Sequence, residues 1–142
     1  MEFKNEKESP TSIDLLSLKT VIRTKNYDAS KHFYTQILKL SIAEEYSSEN
    51  RGCILRFGDK NSNAFLEISE IKEGHYYFQQ SFSRKIENDK IDIQIKTNNI
   101  AYWSEHLHKK WKAKGPIDRP WGSKYLYVRD PDELQIIIYQ EK

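Results

Sequence analysis

The sequence is short of everything that usually staples, anchors or breaks a chain. It holds one cysteine, Cys53, in 142 residues, so no disulfide can close within it. Five glycines and four prolines are too few for a fibrous or low-complexity chain. Net charge is small as well: 23 basic against 21 acidic residues leave +2, no field to hold nucleic acid. No apolar run approaches the ~20 residues of a membrane helix. Residues 1–9 are charged and lack the apolar core of a signal peptide. These gaps leave a reducing cytoplasm as the expected location, with neither nucleic acid nor membrane as partner.

What is present is a soluble domain with many aromatic rings. Hydrophobic residues at 37% and charged residues at 31% belong to a folded, soluble chain, and the length suits one domain with a real core. Aromatics reach 13%, with nine tyrosines, which suits a cleft wanting flat apolar faces with polar tips. Lys109, Lys110, Lys112 and Lys114 form a basic run. It reads as a solvated helix end, where cations favour the C-terminus, ahead of a phosphate stripe.

Residues 1–12 read as a polar tail closed by Pro10. The β-branched stretch from Ile13 to Thr24 predicts a strand. Asn26 or Asp28 caps a helix through about Leu40, with Phe33, Ile37 and Leu40 at helical spacing. Strands follow at Ser41–Tyr46, Cys53–Phe57 and Ala64–Ile71, with turn formers between them. A connector over 72–90 separates this unit from a second. There Ile91, Ile93 and Ile95 alternate with polar residues, and Asn98 or Asn99 caps a helix with the stripe Ile100, Trp103, Leu107 and Trp111. Gly115-Pro116 reads as its stop. Short strands around Ile117, Tyr125–Val128 and Leu134–Tyr139 complete the unit.

The two units repeat. Superposing Leu18–Asn26 on Ile91–Asn99 pairs Ile22 with Ile95, Arg23 with Lys96, Thr24 with Thr97 and Asn26 with Asn99. The same order of helix and strands follows both. The expected fold is α+β: two tandem βαβββ modules, about 13–71 and 91–140, forming a curved mixed sheet around a cleft with helices on the outer face.

This pattern resembles the vicinal oxygen chelate superfamily of glyoxalase I, extradiol dioxygenases and bleomycin- and fosfomycin-resistance proteins. The resemblance rests on the opening strand followed by Asn26-Tyr27-Asp28-Ala29-Ser30-Lys31-His32-Phe33-Tyr34 and Leu38-Lys39-Leu40. It rests also on Pro120-Trp121-Gly122 and Asp130-Pro131-Asp132, similar to the family's PWG and DPDGN signatures, and it spans residues 13–140. Glu133-Leu134 replaces the Gly-Asn of the second signature. Glu133 tolerates positive φ poorly, so a turn of different shape is expected there.

The resemblance implies four metal-ligand positions, which fall on Lys19, Glu67, Asp92 and Ile137. Lysine brings a competing cation and isoleucine no donor, so neither metal nor cofactor is expected, and the chain is closest in type to the metal-independent members. Alternation puts Lys19, Val21 and Arg23 on one face. With Phe65, Glu67, Ser69, Asp92, Gln94 and Lys96, and an aromatic wall of Tyr125, Tyr127, Ile137 and Tyr139 with Trp121 at its rim, they make a ligand-pocket lining. An internal ion pair from Lys19 to Asp92 or Glu67, closing a vestigial site, fits the same residues.

Other candidates carry less. His106 and His108 are two apart and cannot share an ion on a helix. His32 lies on the first helix and His75 in the connector. Cys53 reads as a buried strand thiol, and Trp103 and Trp111 as helix-packing residues. No nucleophile motif or phosphate loop is present. The leading expectation is therefore a dimeric protein that binds a small planar ligand, neutral or anionic, without turning it over and with no catalytic residue. The alternative is a lyase, isomerase or dioxygenase with a rearranged metal site or with Glu67 or Asp92 as base. A regulatory or structural dimer with a closed cleft is the third reading.

Overall fold

The computed structural model describes residues 15–72, 74 and 91–142. The polar tail 1–12, Ile13, His75 and most of the connector lie outside the described residues. The first module runs β1 (Leu18–Thr24), α1 (Tyr27–His32) continuing into a π-helical turn (Phe33–Ile37), β2 (Ser41–Ser47), β3 (Arg51–Arg56) and β4 (Ala64–Glu70). The second repeats it as β5 (Ile93–Lys96), α2 (Ile100–Lys110), β6 (Lys114–Asp118), β7 (Lys124–Arg129) and β8 (Gln135–Gln140). Each makes a four-stranded mixed sheet, ordered β1-β4-β3-β2 and β5-β8-β7-β6. The first strand lies parallel to the last, and the other pairings are antiparallel.

The ladders carry the repeat down to single residues. Val21 pairs with Glu67, which pairs with Ile54; Gln94 pairs with Ile137, which pairs with Tyr127. Val21 and Gln94 are also matched when Leu18–Asn26 is laid on Ile91–Asn99. The caps repeat as well. Asn26 Oδ1 accepts the Ala29 amide at 3.2 Å and Asn99 Oδ1 the Tyr102 amide at 3.1 Å, satisfying an orphan donor of each helix. Thr24 Oγ1 accepts the Asn26 amide at 3.1 Å, and Thr97 Oγ1 the Asn99 amide at 3.0 Å.

Strand alternation divides each sheet into a helix-bearing face and an open one. Ile22, Leu55, Leu66 and Ile68 of the first sheet and Leu126, Val128, Ile136 and Ile138 of the second join Phe33, Tyr34, Ile37 and Leu107 in one buried cluster. Contacts between the modules run through this helix side. Phe33 packs on Trp111 at 5.0 Å between ring centroids, and Tyr34 Oη donates to Asp130 Oδ2 at 2.7 Å. The His106 ring bonds the Ile37 carbonyl at 2.8 Å.

Several local expectations change. β1 begins at Leu18, with Leu15 and Leu16 exposed before it. The first helix does not run evenly to Leu40. It widens into the π-turn, where the Leu38 amide donates to the Phe33 carbonyl at 2.8 Å, and Lys39 turns the chain out at φ 60°. This spacing buries Phe33, Tyr34, Ile37 and Leu38 together. Gly115-Pro116 does not stop the second helix. α2 ends at Lys110, because Trp111 leaves helical geometry (φ −144°, ψ −136°) and its indole donates to the Arg129 carbonyl at 2.8 Å. Gly115 and Pro116 lie inside β6, joined by a cis peptide.

The Asp-Pro-Asp turn also departs from expectation, since Glu133 adopts the left-handed conformation (φ 71°) that favours glycine. Asp130 holds it there: Oδ1 accepts the amides of Asp132 and Leu134 at 2.9 and 2.8 Å. Glu133→Gly should therefore stabilise the fold, by roughly 0.5–1 kcal/mol after the glycine's added unfolded-state freedom is deducted. Urea denaturation checks it; a loss of stability would mean that Glu133 contributes through its side chain.

Candidate functional site

On the open face of the first sheet, Lys19 and Glu67 meet. Lys19 Nζ lies 2.6 Å from Glu67 Oε1, and Tyr46 Oη donates to Glu67 Oε2 at 2.7 Å. Tyr46 reaches the carboxylate because Gly52, its cross-strand partner, has no side chain; a Cβ on Gly52 would fall inside the ring. Burial pushes the Glu67 carboxyl up, but hydrogen bonds from Lys19 and Tyr46, then attraction from Lys19 and Arg23, outweigh it and hold the group below the usual glutamate range. Lys19 is correspondingly raised, chiefly by its bond to Glu67. Arg56 lies over the Phe65 ring at 5.2 Å on the same face.

This pairing sets an acid limit. A carboxyl lowered in the folded state adds stability above its ordinary range and loses it as pH falls through the folded value. Wild type should lose stability on this limb, and Glu67→Gln should flatten it. At neutral pH that variant costs on the order of 1 kcal/mol, discounted for the solvent around Lys19. Urea midpoints between pH 7 and 3 decide it; parallel profiles for the two proteins would show that the pair adds nothing.

The open face of the second sheet is aromatic. Tyr125 stands 6.0 Å from Tyr127, 6.1 Å from Tyr139 and 5.7 Å from Trp121, ring to ring. Tyr125 Oη donates to Gln94 Oε1 at 3.3 Å. Ile137 lies between Gln94 and Tyr127 in the ladders, buried outside the main core. Gln94 Nε2 donates to Asp92 at 3.3 Å, and Lys96 pairs with Glu141 at 2.8 Å. Trp121 is 60% exposed, with Arg119 stacked on it at 5.0 Å and 5.8 Å from the Tyr125 ring. A cavity of ≈ 1010 Å³ opens beside this face, walled by Trp111, Ile117, Arg119, Tyr127, Arg129 and Gln135 among others.

Sequence alternation put these residues on the open faces. It brought Lys19 to Glu67, and Gln94 to the tyrosines. The two groups lie on different sheets, and the contacts named above between modules are on the helix side. Tyr46 and Arg119 escaped the sequence reading. Only strand register shows Tyr46 opposite a glycine, and only the β6–β7 hairpin folds Arg119 back over Trp121 and Tyr125. The other candidates settle into structural places. The His106 and His108 rings bond separate carbonyls, of Ile37 and Gly115, each at 2.8 Å. Cys53 is fully buried, and burial raises its thiol.

The four metal positions do not fit an ion. Both Glu67 oxygens are engaged, one by a cation, and Ile137 offers no donor atom. Among the described residues no three His, Cys, Asp or Glu side chains come together as a ligand group. Nor is any described helix long and apolar enough to cross a membrane.

Two βαβββ modules, each with its helix on one face and a polar or aromatic surface on the other, define a vicinal-oxygen-chelate type of domain. The chain belongs to the Glyoxalase/Bleomycin resistance protein/Dioxygenase superfamily, whose model matches residues 17–138. No curated protein matches it. Among solved structures it is similar to TnmS3, an antibiotic binding protein from Streptomyces sp. CB03234 (15% identity, TM-score 0.64, 89% of this chain and 95% of that one). It is also similar to lactoylglutathione lyase from Agrobacterium tumefaciens (16%, 0.60, 92% and 94%). A third is a glyoxylase/bleomycin resistance protein/dioxygenase domain from Frankia sp. EAN1pec (13%, 0.66, 94% and 100%). At these identities the likeness concerns the fold.

Proposed function

We propose that this chain binds a small planar molecule on the open sheet faces, without a metal and without turning it over. The observation that carries the reading is the exchange at the four ligand positions. Lys19 neutralises Glu67 and Ile137 supplies hydrocarbon, while beside them stand the rings of Tyr125, Tyr127, Tyr139 and Trp121. Flat apolar faces with few polar groups are what a small-molecule site offers. Phe65, Gln94 and Asp92 complete the lining, and Arg23 supplies further positive charge. A second copy of the chain would set one module's face against the other's and close the cleft, which favours a homodimer. A similar fold in an antibiotic binding protein is consistent with this use, as analogy only.

The enzymatic alternative has less to work with. Glu67 is held ionised with both oxygens engaged, which makes it a weak base.

Metal analysis of the purified protein, beside a Lys19→Ala, Ile137→Glu variant, tests the reading. The native chain should carry no stoichiometric ion, whereas the variant, with three carboxylates and no lysine at the ligand positions, should gain one. One tightly held equivalent in the native protein would overturn the metal-free reading. A ligand screen in which only cationic compounds bound would overturn the proposed ligand class.

A further inference from the structure

We infer that the cleft beside the second sheet takes a planar ligand bearing an oxyanion, and that Arg119 is the residue that holds the anion. The inference rests on the ligand-binding reading above and specifies it.

Arg119 has no counter-charge among the described residues, and of the cavity's cations it is the one held over aromatic rings. Lys19 is committed to Glu67, Lys96 to Glu141 and Lys124 to Asp118. Arg119 makes no ion pair with any described residue. Its Nε is shut off from solvent and has no hydrogen-bond partner among them. With Nε closed off, the terminal amino groups of the guanidinium are the donors that a ligand in the cavity would meet. The guanidinium is also oriented. Stacking on Trp121 and Tyr125 fixes its plane, and a planar fork of donors matches the paired oxygens of a carboxylate, sulfonate or phosphate.

The surroundings agree in charge and shape. Five cationic side chains line the cavity against two acidic ones. Of the two, Asp130 is turned inward to Tyr34 and to its own turn, and burial raises its carboxyl. Lys110, Lys112 and Lys114 of the basic run are among the five, so that stretch does more than end a helix. Tyr127 and Trp111 offer flat surfaces on the same wall. If Arg119 served only to cover Trp121, removing it would alter the indole's environment and leave ligand selectivity alone.

A matched pair of fluorescent probes separates these roles: 8-anilinonaphthalene-1-sulfonate and its uncharged analogue N-phenyl-1-naphthylamine. The wild-type full-length protein should bind the sulfonate at least about tenfold more tightly, the size of one well-placed charge-assisted bond. Arg119→Gln should bring the sulfonate down to the level of the neutral probe, with a much smaller change in the neutral probe itself. Arg119→Lys should rescue only part, and Lys60→Gln, on an exposed turn, should change neither. An unchanged ratio between the probes in Arg119→Gln, with near-ultraviolet circular dichroism showing native packing, overturns the inference. So does equal binding of both probes by wild type, a measurement needing no variant; the cleft would then still bind planar molecules. If neither probe binds, the ligand-binding reading falls as well.

Discussion

Replacing Asp130 by alanine should lower stability by about 3–5 kcal/mol, because a buried polar hub would leave its partners unpaired. Asp130 is 2% exposed. One oxygen accepts two turn amides, and the other accepts the Tyr34 hydroxyl from the first module. Alanine strands three donors at once. Tyr34→Phe removes one and should cost about 1–3 kcal/mol. Asp130→Asn should cost less than alanine, since its carbonyl still accepts both amides while its NH2 donates to the Tyr34 oxygen. Burial, working against these bonds, raises the Asp130 carboxyl above its usual range. A raised acid adds stability that is full below the ordinary aspartate range and is lost as pH rises through the folded value. The asparagine variant should therefore close part of its gap to wild type towards neutral pH. Guanidinium denaturation of the single and double variants measures the coupling; a loss under about 1 kcal/mol for Asp130→Ala would mean that water replaces the hub.

Much of the fold was legible because it is written twice. The Thr-x-Asn sequence at 24–26 and 97–99 marks a strand end and a helix cap in both modules, and the hydrogen bonds repeat with it. Alternation gave the strands because each sheet buries one face only. The misreadings share a cause. Gly115-Pro116 carries the local signature of a helix stop, yet a distant carbonyl, that of Arg129, ends the helix earlier by holding Trp111. Glu133 adopts a conformation its own chemistry disfavours because Asp130 fixes the turn around it. In both places a tertiary contact overrides a local preference, and no window of neighbouring residues contains that contact.

The site was legible to the same depth. Residue identity put a lysine and an isoleucine at two of the four ligand positions, and alternation placed Lys19 within reach of Glu67. Which partner Lys19 would choose, Glu67 or Asp92, was left open, because it depends on strands 1 and 4 lying side by side. Arg119 sits next to the Pro-Trp-Gly motif and could have been suspected for that. Its missing counter-charge is visible only once every neighbouring carboxylate has been assigned.

Phe33→Ala should cost about 3–5 kcal/mol, the usual range for emptying a core site of a phenyl ring. Phe33 is fully buried, edge-on to Tyr34 at 4.9 Å and tilted against Trp111 at 5.0 Å. Its ring therefore joins the first helix to the chain that leaves the second. The site resists collapse, because Tyr34 is tethered to Asp130 and Trp111 to the Arg129 carbonyl; a cavity that cannot close keeps its full cost. Phe33→Leu, nearer in volume, should cost about 1.5 kcal/mol. The change should also reach the cleft, since Trp111 forms part of its wall. With Phe33 gone the indole loses its backing, and the anionic naphthalene probe should bind several-fold more weakly even where the protein remains folded. Chemical denaturation followed by tryptophan fluorescence and by far-ultraviolet circular dichroism reads both modules. Coincident transitions at a lower midpoint are expected of one shared core. Two separate transitions would instead show that the modules fold independently, and that the ring between them couples nothing.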